Sequence, residues 1–386
     1  MTVVGIHDLS IATASRVLDL ALLAERAGID PDKYRIGLGQ ERMSVPAPDE
    51  DIVTMAAAAA LPIVERHGAT GIRTVLFATE SGVDQSKSAA VFVHELLGLD
   101  PATRVVELKQ ACYSATAALQ FALGIVARQP EEAVLVIASD VARYAVDTAA
   151  EPTQGAGAVA MLVTQDPAIA EVEPATGIHT ADVDDFWRPN DSDTAVVNGK
   201  LSIDAYLDAF VGAWDDYRAR GGADIESIDY FCHHQPFTRM AVKAHQRLAV
   251  HTGASLTPAQ MEPTTRYNRL LGNSYTASLY FGLAALLDAE DDLTDRRVGM
   301  YSYGSGSIGE FFSLRVRPGY RDALRTEATK RVLDSRAPLD VDAYRALHAA
   351  HSASSEVDRT IEAISPVPFH FAGVQGRARR YVRDDA

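Results

Sequence analysis

The sequence predicts an α/β fold built from two similar halves, and three observations carry that expectation. Helical and strand-like runs alternate along the chain, the pattern that layers helices on sheets. Several strand-like runs are short and apolar throughout, such as Ala-Val-Leu-Val-Ile-Ala at 133–138, as expected where both faces of a sheet are covered. An apolar helix with a polar start, a strand, a glycine-rich turn and a second strand follow in that order in each half, which points to a duplication.

Residues 12–27 and 50–67 place apolar positions at helical spacing. A β-rich run at 74–78 ends in the loop Thr79-Glu80-Ser81-Gly82, and 88–97 returns to a helical pattern. Residues 104–108 read as a short strand, 114–128 as an alanine-rich apolar helix, and 155–163 as a strand with glycines at its start. In the second half, 228–232 is a strand running into His233-His234-Gln235-Pro236, followed by an amphipathic helix over 237–250. An apolar helix with a polar start is expected over 272–287, then strands at 298–303 and 310–316 around a Gly-Ser turn. The two halves are drawn at 1–165 and 166–320, with 321–386 expected as a charged, helical extension.

At 386 residues the chain is long enough for two domains or one large duplicated one. Its net charge of -16 would repel a phosphate backbone, which argues against nonspecific nucleic-acid binding and leaves room for a local basic patch. No stretch approaches the length of a membrane span. Residues 1–9 include Asp8 and have no basic region ahead of an apolar one, so no secretory signal is expected and the cytoplasm is the expected location. The two cysteines, Cys112 and Cys232, are then expected to be reduced and to serve chemistry or packing.

Cys112 falls between the strand at 104–108 and the helix at 114–128. A thiol in the first turn of a helix meets unpaired amides and the positive end of the dipole, which favour a thiolate nucleophile. The alternative is a small buried residue at a turn. Glu80 ends a strand in a small, polar segment and reads as a general acid/base or a solvated carboxylate. His234 also follows a strand end, as a proton or hydrogen-bond donor or as a satisfied turn histidine. Asn273 opens an apolar run, as a helix N-cap or a carbonyl-binding group. All four stand at element ends, where ligands bind in α/β sheets.

A metal at Cys232-His233-His234 is disfavoured, because adjacent strand residues point to opposite faces and no second cluster has ligand spacing. Gly304-Ser-Gly-Ser-Ile-Gly309 is followed by a strand pattern where a dinucleotide fingerprint needs a helix. Its glycines are better read as allowing close approach of the backbone to a ligand.

The ordered motifs carry a family resemblance. They are Gly37-Leu-Gly-Gln-Glu-Arg-Met with Asp51-Ile-Val-Thr-Met, Ala78-Thr-Glu-Ser-Gly82, Glu107-Leu-Lys-Gln-Ala-Cys-Tyr-Ser-Ala-Thr116 and Glu151-Pro-Thr-Gln-Gly-Ala-Gly-Ala-Val-Ala160. Asp185-Phe-Trp-Arg-Pro189, His234-Gln-Pro-Phe-Thr-Arg239, Gly272-Asn-Ser-Tyr-Thr-Ala-Ser278 and Ser302-Tyr-Gly-Ser-Gly-Ser307 follow. The chain resembles the bacterial type of 3-hydroxy-3-methylglutaryl-coenzyme A synthase, within the thiolase superfamily. The resemblance implies duplicated α/β halves in an α-β-α-β-α layering, and an acyltransferase of the mevalonate pathway, the supply of isoprenoid precursors. It implies condensation of acetyl-CoA with acetoacetyl-CoA, with the thioesters as substrates and no separate cofactor or metal, in a homodimer. Among the residues, it implies that Cys112 is the acylated nucleophile, Glu80 the general acid/base, and His234 the group that engages the acceptor. It places Tyr144, Asn273 and Ser307 at the acyl pocket, Thr153 among the substrate-binding residues and Lys243 in the coenzyme A region. Backbone amides near Cys112 and Ser307 are expected to form an oxyanion hole. A related β-branching enzyme that takes its substrates from acyl carrier proteins would share these residues, and would need a basic docking patch for its acidic partner. A non-catalytic thiolase-like subunit would not need Cys112, Glu80 and His234 together.

Overall fold

The computed structural model describes residues 3–192, 194–351 and 354–384; Met1 and Thr2, the start of the stretch read for a leader, lie outside them. Its main sheet comprises β1 (Val4–Thr13), β2 (Ile72–Ala78), β3 (Arg104–Leu108), β4 (Ala133–Ala142), β5 (Gly155–Gln165), β6 (Ala170–Thr180), β7 (Tyr230–His233), β8 (Arg297–Gly304) and β9 (Ile308–Val316). The hydrogen-bonded order is β7-β8-β9-β6-β1-β5-β4-β2-β3. The order is symmetric about the β1–β6 joint, apart from β3, which has no counterpart in the second half. That joint consists of two residue pairs, Gly5 with Glu171 and Ile6 with Ala170. Parallel pairing occurs in each half, at β3–β2–β4 and at β7–β8, and the strands between are antiparallel.

The helices that cover the sheet are α1 (Ile52–His67), α2 (Ala89–Leu96), α3 (Ser114–Arg128), α4 (Gly199–Ala219), α5 (Thr238–Thr252) and α6 (Ser278–Ala289). Alternate residues of β4 face opposite cores, so the strand reads apolar throughout: Val134, Val136 and Ala138 enter one cluster, Leu135 and Ile137 another. The central cluster buries Ala118, Leu119 and Ala122 of α3 and Leu279, Phe281 and Leu283 of α6 between strands of both halves. An outer cluster sets α1 against Val75, Phe77 and Leu135, and another sets α4 and α5 against Phe231, Tyr301 and Phe311. The chain is thus an α/β protein layered α-β-α-β-α. No helix among the described residues is long and apolar enough to cross a membrane.

Three sequence-based expectations are corrected. Residues 12–27 are not one helix: β1 runs to Thr13, Arg16–Asp19 is a strand, and only Leu20–Arg26 is helical. Arg16–Asp19 pairs with Arg42–Val45 and Ala337–Leu339, and the Asp19 side chain accepts from the Ala21 N–H to start the helix. The apolar helix of the second half starts at Ser278, not Gly272, because Gly272 (φ 80°) and Tyr275 (φ 44°) are left-handed. The extension after 320 holds the helices α7 (Thr326–Asp334) and α8 (Val341–Ala350), but Arg359–Thr360, Phe369–Gln375 and Ala378–Arg383 form a three-stranded sheet. Phe369, Phe371 and Val374 are buried there, with Phe369 in the core under α1.

Gly272 marks where the second half's site loop crosses the start of β5. A Cβ built on it would lie 1.9 Å from the Gln154 carbonyl oxygen. Gly272→Ala therefore combines a backbone clash with a forbidden φ. It should lower unfolding stability by ~2–4 kcal/mol in a denaturant titration. An unchanged midpoint would contradict this crossing.

Candidate active site

Strand register brings the first two candidates together. In the parallel β2–β3 pair Ala78 lies opposite Leu108, so the segments leaving the two strand ends run side by side. Glu80 lies two residues beyond one end and Cys112 four beyond the other. The Cys112 Sγ donates to Glu80 Oε2 at 3.0 Å. Cys112 precedes α3 by two residues, and the turn that delivers it holds Ala111 at φ 43°, a left-handed conformation that costs a side-chain-bearing residue energy.

The Glu80 loop is fixed from below by Asp140, a fully buried carboxylate near the end of β4. Its Oδ1 accepts from Thr79 Oγ1, Glu80 N, Ser81 N and Ser81 Oγ. Its Oδ2 accepts from Thr276 N and Oγ1, in the loop before α6. One side chain thus joins the carboxylate loop of the first half to the Asn273 loop of the second. From above, Arg188 Nη2 donates to the Glu80 carbonyl at 2.8 Å.

Around the thiol stands an apolar box. Cys112, Ala142, Tyr144 and Tyr275 cluster, with Phe186 packed against them. The rings of Tyr144, Phe186 and Tyr275 meet edge to face, with centroids 6.1–6.3 Å apart. Asn273 is not an N-cap. Its Nδ2 donates to Tyr144 Oη at 3.1 Å and its Oδ1 accepts from Tyr275 N. Thr153 lies beneath: its carbonyl accepts from Asn273 N, while its hydroxyl donates to Ala150.

His234 is buried just past β7, its main chain bonded to Tyr301 and Tyr206. Among the described residues no hydrogen bond joins it to Cys112 or Glu80. The Tyr206 ring lies 5.1 Å from that of Tyr303, whose hydroxyl donates to Asp185. Asp185 also accepts from Gly306 N, beside Ser307. The Ser307 N–H itself donates to the Ala181 carbonyl at 2.6 Å, which removes it from the expected oxyanion hole. Lys243 is half-buried on α5, 5.8 Å from the Phe237 ring centroid, with no hydrogen bond or ion pair to the Cys112 group among the described residues. Cys232 and His233 are wholly buried, and no group of three His, Cys, Asp or Glu side chains among the described residues is placed to hold a metal ion.

Electrostatics correct the expected thiolate. Burial pushes the Cys112 thiol well above its usual range, and the Glu80 carboxylate pushes it the same way. Burial and then the nearby Asp140 raise Glu80 to about 8. The resting pair is therefore a thiol and a carboxyl group, and the helix dipole does not override the missing solvent. Burial lowers His234 to about 3, so its imidazole is neutral and can serve as a hydrogen-bond donor but not as a proton donor.

Asp140, Tyr275 and Phe186 escaped the sequence reading. The available signal was a lone charged residue, Asp140, near the end of an otherwise uncharged strand, because a buried carboxylate needs donors.

Comparison with known proteins places the chain. The profile for the N-terminal region of hydroxymethylglutaryl-coenzyme A synthase matches residues 2–168, and that for the C-terminal region matches 172–255 and 249–353. The chain is 38% identical to the hydroxymethylglutaryl-CoA synthase of Enterococcus faecalis over 98% of its own length and 99% of the relative's. It is 32% identical to the polyketide biosynthesis 3-hydroxy-3-methylglutaryl-ACP synthase of Bacillus subtilis, over 90% of this chain and 88% of that one. A solved HMG-CoA synthase structure complexed with CoA matches with a TM-score of 0.94 at 36% identity, covering 99% of this chain and 100% of that one.

Glu80 sets a pH signature on stability. Its folded value of about 8 lies above the ordinary 4.5, so between these the folded state keeps a proton that the unfolded chain releases. That burden on folding is absent below the lower value and complete above the higher. Glu80→Gln removes it, so the variant should gain at least ~1 kcal/mol on wild type between pH 5 and pH 9 in denaturant titrations. A pH-independent difference would contradict the buried-carboxyl assignment.

Proposed function

We propose that this chain, which belongs to the hydroxymethylglutaryl-coenzyme A synthase family, condenses acetyl-CoA with acetoacetyl-CoA and water to give 3-hydroxy-3-methylglutaryl-CoA and CoA. It is an acyl-transferring, condensing enzyme, and the mevalonate pathway fits the family. The observation that carries the residue assignment is the 3.0 Å contact between Cys112 and Glu80 beside an aromatic pocket.

In the proposed reaction the fraction of Glu80 that is ionised accepts the Cys112 proton as the sulfur attacks the acetyl thioester, and returns it to the departing CoA sulfur. The carboxylate is then free to take a proton from the methyl of acetyl-Cys112. A value near 8 suits both steps at neutral pH, since neither form is strongly disfavoured. The enolate attacks the ketone carbon of acetoacetyl-CoA. His234, as a neutral donor, and Asn273 hold the oxygen that becomes the alkoxide. Asn273 has one of its two amide protons on Tyr144, leaving the other for this purpose. The proton held by Glu80 neutralises the alkoxide, and water releases the product from Cys112. Tyr144, Phe186 and Tyr275 form a box that suits a two-carbon acyl group, with Thr153 and Ser307 supporting its walls. Lys243 is assigned to coenzyme A on resemblance alone.

Residues 1–165 then form the half with the nucleophile, 166–320 the half that holds the acceptor, and 321–386 the extension. Free coenzyme A thioesters are preferred over carrier-bound ones because the identity to the Enterococcus faecalis CoA synthase, 38%, exceeds the 32% to the Bacillus subtilis ACP synthase. A cytoplasmic homodimer completes the reading. The sheet ends at β3, where Val106 is 42% exposed on an open edge that a second copy would cover.

Incubation with acetyl-CoA should add one acetyl group to the protein, seen by intact mass. Cys112→Ala should lose the adduct, and an adduct on that variant would overturn the assignment. Glu80→Ala should still form some acetyl-enzyme but lose condensation by ~10²–10⁴-fold. Free-thiol release assayed in parallel should be faster with coenzyme A substrates, and a preference for carrier-bound acyl groups would reverse that choice.

A further inference from the structure

Glu310, on β9, is 1% exposed, and the reaction above makes no use of it. Its Oε2 accepts from Tyr113 Oη at 2.6 Å, and its Oε1 from Thr176 Oγ1 on β6. Tyr113 is the residue after Cys112. Its other end is gripped by the same hairpin: Gly304, paired across the β8–β9 turn with Ile308, lies so close that a Cβ there would sit 2.7 Å from Tyr113 Cβ and 2.8 Å from Tyr113 N. The turn leading into Tyr113 holds Ala111 at φ 43°. Such a conformation persists only where the surroundings over-determine it.

We propose that Glu310 is a positioning residue, whose bond to the Tyr113 phenol holds the strained Gln110–Tyr113 turn so that the Cys112 thiol stays on Glu80. This rests on the reading of Cys112 as the acetylated residue. The geometry makes the second half part of the nucleophile's mounting, although Glu310 touches neither substrate nor sulfur. Of the two ends of Tyr113, the phenol end is the one a single substitution can release without a clash.

The test uses Glu310→Ala, Glu310→Gln and Tyr113→Phe in the full-length protein. Glutamine keeps an acceptor for Tyr113 and can donate to Thr176, so it should stay near wild type. Alanine and Tyr113→Phe should each slow Cys112 acetylation by ~10–100-fold, the penalty of a misplaced group, with KM for acetyl-CoA within about twofold. Both should also move the pH profile of Cys112 alkylation by iodoacetamide downward, because the thiol leaves the carboxyl that raises it. A merely structural brace would leave that profile where it is. Should Glu310→Ala fail to fold, Tyr113→Phe carries the same prediction. Folded variants with unchanged acetylation, or with slowed acetylation and an unmoved alkylation profile, would overturn the role. Wild-type protein that takes no acetyl group would instead refute the reaction, while the alkylation profiles would still decide on Glu310.

Discussion

A thiol and a carboxyl group 3.0 Å apart in a largely buried pocket set the terms for the rest of the structure. Neither is ionised easily there, because burial penalises both charges, Asp140 further raises Glu80, and the Glu80 charge further raises the thiol. Most of the pair holds both protons at neutral pH, and the fraction with Glu80 ionised is the form that can take the thiol proton. Asp140 helps create this state and helps contain it: its charge raises Glu80, four of its hydrogen bonds hold the loop that carries Glu80, and two more tie that loop to Thr276. In the proposed reaction one carboxylate serves acyl transfer and enolisation in turn, which needs a group that both gives and takes protons near pH 7.

That pocket exists because two half-sheets share one helical layer. α3 and α6 lie in the common core, and the segments ahead of them carry Cys112 from one half and Asn273 from the other. Where the halves touch, backbones run close. Gly272 passes the Gln154 carbonyl, Gly304 passes Tyr113, and a side chain at either place would push the two loops apart. The neutral His234 follows from the same packing, since a charged imidazole would have no solvent to support it.

Much of this was legible in the sequence because polar residues at the ends of apolar runs are costly to place without use. Cys112, Glu80, His234 and Asn273 each stood at such an end, and the strand and helix around Cys112 were readable to the residue at Arg104–Leu108 and Ser114–Arg128. What failed depends on contacts distant in sequence. The 12–27 helix dissolved because Arg16–Asp19 found partners at 42–45 and 337–339. The thiolate did not appear because the local dipole argument took no account of how deeply tertiary packing buries the sulfur. The terminal sheet was hidden because four arginines between 377 and 383 mask the alternation that Phe369 and Phe371 reveal once their burial is known.

The most direct test is the pH dependence of the first turnover, the rate at which acetyl-CoA acetylates Cys112 in wild-type enzyme under pre-steady-state conditions. Proton transfer from Cys112 to Glu80 predicts a rate that rises with pH through an apparent midpoint near 8, a value that belongs to the coupled pair. A rate flat from pH 6 to 9, as an ordinary carboxylate already ionised at pH 6 would give, would contradict it.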